Sequence, residues 1–263
     1  MTSHPNTAPP GVNPASDIRL DGRRIFVTGG ARGLGEAFVR ALHAAGAYVA
    51  LGDLLAERGR ALAAELGERA RFYDLDMRAP ESIRSAIDRA AAELGGLDGL
   101  VNNAAVTNSG GRDFDQIDLE TWDTVMAVNV RGPWLATCAA RPHLKASGSG
   151  RIVNVASDTA LWGAPRLMAY VASKGAIISM TRSMARELGA DQITVNAIAP
   201  GLTLVEATEY VPRARHEHYL NGRAIQREQM PQDVTGSVLF LLSGASGFVT
   251  GQLLAVNGGF AMH

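Results

Sequence analysis

Tyr170 and Lys174 stand four residues apart in YVASKGAIISMTRSMAREL, a stretch with a helical pattern. That spacing sets a phenol and an ammonium side by side on one helix face. A tyrosine titrates at about pH 10 and is a poor base at neutrality, but a nearby cation can lower a pKa by about one to three pH units. Lys174 is placed to supply such a shift. Ser157 ends an apolar run thirteen residues before Tyr170, close enough for its hydroxyl to share the same substrate oxygen. Asn129 falls inside a long helical pattern. An amide is out of place there unless it caps a kink or holds a water, and from that position it can relay protons to solvent. Together these groups suit proton transfer to or from an alcohol or carbonyl oxygen. Taken singly, a Tyr–Lys pair reads as a solvated helix face and a serine after a strand as a turn residue, so the assignment depends on what accompanies them.

What accompanies them is a glycine turn. The run VTGGARGLG places Gly29, Gly33 and Gly35 after the first apolar run and at the opening of a helical pattern. Glycine permits a tight turn and lets backbone N–H groups and the positive helix end approach a pyrophosphate. A tight strand-to-helix connection can also need glycine for steric reasons alone. Asp53 closes the second apolar run, eighteen residues after Gly35, where a carboxylate can accept hydrogen bonds from ribose hydroxyls and repel a 2′-phosphate. Arg32, inside the turn, argues the other way as a guanidinium partner for that phosphate. Beside Asp53 a phosphate meets repulsion and desolvation together, so NAD is expected over NADP. Asp76, at the end of the third run, can hold the adenine amino group or stand as a solvated turn carboxylate.

These residues need a scaffold that brings several strand ends together. Short β-rich runs at Ile25 to Thr28, Tyr48 to Asp53, Arg71 to Leu75, Gly99 to Asn102, Arg151 to Ala156, Thr194 to Ala199 and Leu253 to Val256 alternate with helical patterns. The helices are expected at Gly33 to Ala45, Ala56 to Leu66, Pro80 to Leu94, Leu119 to Leu144, Ala169 to Leu188 and Gln232 to Leu242. This alternation predicts an α/β fold: a single doubly wound Rossmann-type domain over residues 21–263, with a mostly parallel seven-stranded sheet and helices on both faces. Ligands of such sheets bind beyond the carboxyl ends of the strands, where strand order reverses. Residues 202–230 carry mixed charge without a clean period and read as a substrate lid.

Residues 1–20 hold four prolines and no apolar run, so they are expected to be a flexible tail and fit neither a secretory signal nor a membrane span. With 25 basic and 26 acidic residues, a formal net charge of −1 offers no field for a polyanion, and nucleic acid is not an expected partner. Cys138 is the only cysteine, which excludes an intrachain disulfide and a thiolate metal cluster and is compatible with a reducing, cytoplasmic setting. His216 and His218 flank Glu217 without a convincing third ligand, and no metal is expected.

TGGARGLG, NNAA at Asn102 to Ala105, VNVRG around Asn129, VNVAS ending at Ser157, YVASK, NAIAPG ending at Gly201 and the closing GQLLAVNGG together resemble the short-chain dehydrogenase/reductase family. The resemblance runs from about Leu20 to the C terminus. It implies that Tyr170 is the acid/base, that Lys174 lowers its pKa and binds the nicotinamide ribose, that Ser157 orients the substrate oxygen, and that Asn129 holds a relay water. It places Gly29, Arg32, Gly33, Leu34 and Gly35, then Asp53, Asp76 and Met77, then Asn103 and Ala104, and finally Pro200, Gly201 and Thr203 along the cofactor. Thr203 would reach the nicotinamide carboxamide. Three positions depart from the family pattern: Ala105 replaces a glycine, Asn257 an aspartate and Val205 a threonine. None removes a reacting group, although Val205 leaves part of the lid's contact with the cofactor to Thr203. The family also implies a homotetramer.

The expected activity is hydride transfer between NAD and a small-molecule secondary alcohol or ketone. Leu161, Trp162, Met168, Val106 and Tyr210 either line an apolar pocket for a ring-bearing substrate or belong to the core, while Arg213, Arg215, His216 and His218 in the lid can either receive an anion or form a solvated helix face. A 3-oxoacyl thioester reductase is the alternative enzyme, disfavoured by Asp53 because such enzymes usually prefer NADP. A non-catalytic dinucleotide-sensing protein is the alternative outside enzymology, disfavoured by the presence of both Tyr170 and Lys174.

Overall fold

The computed structural model describes residues 18–107 and 109–262. The expected tail lies outside the described residues as far as position 17. Leu20 is fully buried, and its N–H donates to the Ala45 carbonyl at 2.9 Å.

Seven strands form one sheet: β1 (Arg24–Thr28), β2 (Tyr48–Asp53), β3 (Ala70–Asp74), β4 (Gly99–Asn102), β5 (Arg151–Val155), β6 (Thr194–Pro200) and β7 (Leu253–Val256). Every pairing is parallel, in the order β3-β2-β1-β4-β5-β6-β7. The sheet is therefore wholly parallel. Strand order reverses between β1 and β4, and this opens a crevice beyond their carboxyl ends.

The central strands are apolar on both faces because helices cover both. β5, RIVNV, is buried at every residue. Its Asn154 is satisfied inside the sheet, accepting from the Asn102 amide at 2.9 Å and donating to the Thr181 hydroxyl at 2.8 Å. The helices are α1 (Gly33–Ala44), α2 (Ala56–Leu66), α3 (Pro80–Leu94), α4 (Leu119–Met126), α5 (Gly132–Ala146), α6 (Thr159–Trp162), α7 (Met168–Leu188), α8 (Arg213–Gly222) and α9 (Gln232–Leu242). Phe38, Val39 and Leu42 of α1 join Val234, Val238 and Leu241 of α9 in one core cluster, while α3 and α5 pack over the other face.

Two expectations change. The helix anticipated over Leu119 to Leu144 is interrupted by a π-helical segment, Ala127–Arg131. One inserted residue widens the turn there, and Pro133, lacking an N–H, cannot make the α-helical bond to the Asn129 carbonyl. The stretch over 202–230 also contains a regular helix, α8. Its only buried side chain is Tyr219, so it carries no apolar stripe.

Candidate functional site

A cleft of ≈ 660 Å³ follows the crevice from the β2 end to the β6 end. It is lined by Gly29, Arg32, Gly33, Leu34 and Gly35 from the first turn, and by Asp53, Asp76 and Met77 from the β2 and β3 ends. Asn103 and Ala104 follow β4, Ser157 follows β5, Tyr170 and Lys174 come from α7, and Pro200, Gly201 and Thr203 come from the β6 end. The structure thus brings into one cavity every residue the sequence assigned to catalysis or cofactor except Asn129. A larger but shallower groove of ≈ 900 Å³ runs along the outer faces of α4 and α5, past Trp134 and Met180. It contains none of the reacting groups.

Local chemistry shapes the glycine turn. Gly29 and Gly33 have φ of 66° and 59°, in the left-handed region that favours glycine. A Cβ on Gly35 would stand 1.8 Å from the Gly29 carbonyl oxygen. The steric reading therefore accounts for Gly35. Gly33 is required by its left-handed backbone rather than by crowding, since the nearest atom to an added Cβ is Val205 at 3.6 Å. Asn103 braces the turn by donating to the carbonyls of Thr28 and Gly29 at 3.0 and 2.9 Å. Arg32 occupies the N-cap of α1 without a side-chain cap bond, so no side chain caps the first-turn N–H groups. The Asp53 carboxylate accepts from the Ala31 and Leu55 N–H groups, both at 3.0 Å, and is held at the mouth of the cleft. Asp76 accepts from Arg78, which lowers its pKa. An uncapped helix terminus, a fixed carboxylate and a cavity of ligand size fit a dinucleotide.

At the other end, the Ser157 hydroxyl oxygen accepts from the Thr159 N–H at 3.3 Å and the Thr159 hydroxyl at 2.9 Å, and the hydroxyl faces the Tyr170 phenol. Lys174 is 3% exposed. Its ammonium donates to the Val155 carbonyl at 2.7 Å and lies 5.5 Å from the centre of the Tyr170 ring. Burial lowers the Lys174 pKa to about 8. Burial also raises the Tyr170 pKa, and the neighbouring Ser157 hydroxyl only partly opposes that rise. The lowered tyrosine pKa expected from the sequence is thus reversed in this structure, because desolvation of the phenol outweighs its favourable contacts.

Asn129 is 1% exposed and lies behind the cleft. Its amide donates to the Val106 carbonyl and the Ser173 hydroxyl, both at 3.1 Å, and its Oδ1 accepts from the Val106 N–H at 2.8 Å. Both donors and the oxygen of the Asn129 side chain are thus engaged by protein groups.

Val106 and Tyr210 line the cleft, and the Tyr210 hydroxyl donates to the Thr107 carbonyl. Leu161, Trp162 and Met168 lie outside the cleft lining. Leu161 packs beside Ile177 and Ile178, and Trp162 joins an aromatic cluster with His218, Tyr219 and Phe260. The lid cations also point elsewhere: Arg213 pairs with Glu217, and Arg215 donates to the Pro165 carbonyl. Sequence reasoning missed Glu206, which lines the cleft and forms a two-bond ion pair with Arg58 of α2 at 2.8 Å. A pair separated by 148 positions leaves no local signal.

A family model described as enoyl-(acyl carrier protein) reductase matches residues 29–261. A 3-alpha-(or 20-beta)-hydroxysteroid dehydrogenase from Mycobacterium bovis is 39% identical over 241 residues, which cover 92% of this chain and 90% of that protein. Among solved structures, a short-chain type dehydrogenase/reductase from Mycobacterium marinum superposes with a TM-score of 0.88 at 29% identity, covering 94% of this chain and 99% of the other. A 3-ketoacyl-(acyl-carrier-protein) reductase from Brucella melitensis, complexed with NADH, gives a TM-score of 0.86 at 29% identity, with coverage of 92% and 100%.

Proposed function

The chain belongs to the short-chain dehydrogenase/reductase family, and from that premise we propose that it oxidises an apolar, ring-bearing secondary alcohol, or reduces the matching ketone, with NAD. The observation that carries this reading is the meeting of Ser157, Tyr170 and Lys174 at one end of a cleft whose other end holds the glycine turn and Asp53.

A bound nicotinamide would supply the hydride acceptor or donor, with Tyr170, Lys174 and Thr203 among the residues that would hold it. The protein handles the proton. Tyr170 takes the hydroxyl proton in oxidation and returns it in reduction. Ser157 donates its hydroxyl hydrogen to the substrate oxygen, and the Lys174 ammonium stabilises negative charge on the Tyr170 oxygen in a site of low dielectric. The Asn129 carbonyl, denied an α-helical partner by Pro133, supports a role in holding a relay water. Asp53, fixed by two N–H groups, favours a ribose diol over a 2′-phosphate. Val106, Ala207 and Tyr210 line the cleft and favour an apolar substrate, in keeping with the hydroxysteroid dehydrogenase relative. The exposed Trp134 beside the α4–α5 groove supports assembly as a homotetramer.

The 3-ketoacyl-(acyl-carrier-protein) reductase neighbour favours a second reading, reduction of a 3-oxoacyl thioester. A panel of cyclic secondary alcohols, steroid alcohols and a 3-oxoacyl thioester, each assayed with both nicotinamide cofactors at the absorbance of the reduced form, separates the two. Turnover of cyclic alcohols with NAD supports the first. Turnover confined to the thioester with NADPH overturns it.

A further inference from the structure

The residue after Ser157 is Asp158, whose carboxyl has no solvent access and which the proton chemistry above does not use. Its N–H donates to the Pro200 carbonyl at 3.0 Å, tying the turn after β5 to the end of β6. Its Oδ1 accepts from the Tyr219 hydroxyl at 2.7 Å, and its Oδ2 has no partner among the described residues. Tyr219 is the one buried side chain of α8. Its hydroxyl also accepts from the Trp162 indole at 3.2 Å, and its ring stacks on Phe260 with centroids 4.2 Å apart. Arg223 lies 5.1 Å from the centre of that ring and donates to the Leu202 carbonyl at 2.6 Å, next to Thr203.

This single carboxyl therefore joins three parts of the chain: the turn carrying Ser157, the helix α8 that follows the cleft-lining residues 203–210, and the C-terminal segment. A buried carboxylate with one oxygen unpaired is an expensive way to fill space, and an apolar side chain would pack at lower cost. A hydrogen bond does what an apolar contact does not, because it fixes the rotation and register of α8 against the turn. We propose that Asp158 is a positioning residue: through Tyr219 it docks α8 and the C-terminal segment onto the turn carrying Ser157, so that lid closure and placement of the serine hydroxyl are one event. This rests on the reading of Ser157 and Tyr170 as the chemical end. The groups facing Asp158 are the Tyr219 hydroxyl, the Arg223 guanidinium, the Asn257 amide and the Thr159 N–H, and on the opposite side the Tyr170 phenol, whose ionisation the Asp158 charge opposes.

Tyr219→Phe removes the hydroxyl and keeps the stacked ring. Hydrogen exchange read along the full-length protein should quicken about ten-fold or more in residues 213–222 and stay unchanged in β1 to β6, the result of one lost buried hydrogen bond at a local opening. Asp158→Leu, which loses the same bond without leaving a buried carboxyl unpaired, should reproduce that pattern. Asp158→Asn keeps an acceptor for Tyr219, so exchange in α8 should stay near that of the wild type. Its kcat profile should move to lower pH, because the charge opposing Tyr170 ionisation is gone. In Tyr219→Phe the KM for the alcohol should rise by about ten-fold, with a smaller fall in kcat. Unchanged exchange in residues 213–222 in both bond-removing variants overturns the proposal, as does quickened exchange with unaltered KM. If the wild-type protein turns over no alcohol or ketone, the proposed function fails, and the exchange data still decide whether Asp158 docks the lid.

Discussion

Replacing Lys174 with methionine should make stability depend on pH in a way that follows from the burial of its ammonium. The side chain is 3% exposed, and burial lowers its pKa from 10.5 to about 8. At roughly 1.36 kcal/mol per pH unit, that displacement makes the charged form cost the folded state about 3 kcal/mol. The sign follows from proton counts. Below about pH 8 both folded and unfolded states carry the proton, and the whole cost is present. Between about 8 and 10.5 the unfolded chain holds the proton and the folded chain does not, so wild-type stability rises with pH. Methionine cannot titrate and lacks this rise. It also leaves the Val155 carbonyl without its 2.7 Å partner, a loss of about 1–3 kcal/mol at every pH. The offset between the proteins is therefore uninformative, and the slope carries the prediction. Urea unfolding midpoints at fixed protein concentration, from pH 7 to 10.5, should show the wild type gaining about 3 kcal/mol relative to Lys174→Met. A difference that stays constant within about 1 kcal/mol across that range refutes the claim that the folded protein holds a buried, costly ammonium beside Tyr170.

Two further predictions concern the braces of the cleft. Asn129→Ala strands the Val106 N–H and carbonyl, both satisfied by one amide, and removes a donor from the Ser173 hydroxyl, which keeps its bond to the Tyr170 carbonyl at 2.7 Å. Thermal and urea unfolding should register a loss of about 2–4 kcal/mol, and a loss below about 0.5 kcal/mol would contradict the buried geometry. The Arg58–Glu206 pair crosses the cleft mouth with both side chains about half exposed, so Arg58→Ala should change stability by less than about 1 kcal/mol. The same variant should quicken release of NADH in a stopped-flow chase. Added salt should quicken release in the wild type and leave the variant unchanged, whereas equal salt responses would dismiss the pair as a latch.

The sheet was readable because parallel strands buried on both faces must be apolar throughout, and β1, β2 and β4 to β7 lie within a residue or two of where the apolar runs end. β3 sits one residue earlier than anticipated: Leu75 is 3% exposed, yet it leaves the ladder after its N–H donates to the Asp53 carbonyl at 3.0 Å. The interruption at Ala127–Arg131 was hidden because one inserted residue scarcely disturbs an apolar period, although Asn129 and Pro133 were local signs of it. Helix α8 escaped notice for a related reason, since a helix with one buried residue shows no periodicity. The residues that line the cleft were legible because most of them sit at or just beyond strand ends, where the crevice opens. Asp158 reads in sequence as an ordinary turn carboxylate, since its partner Tyr219 is 61 positions away. Trp162 was ambiguous in sequence because an aromatic near the chemical end can face either the cleft or the core, and packing against Tyr219 and Phe260 decides it.

The central claim is that Tyr170 moves the proton while other residues hold the cofactor. It is tested most directly by Tyr170→Phe, assayed for alcohol oxidation and for NADH binding by fluorescence titration on the same preparation. The account predicts that kcat falls by at least about a hundred-fold, the ordinary worth of a positioned acid/base, while NADH affinity stays within about three-fold. Retention of a tenth or more of wild-type turnover, with cofactor bound normally, would contradict it.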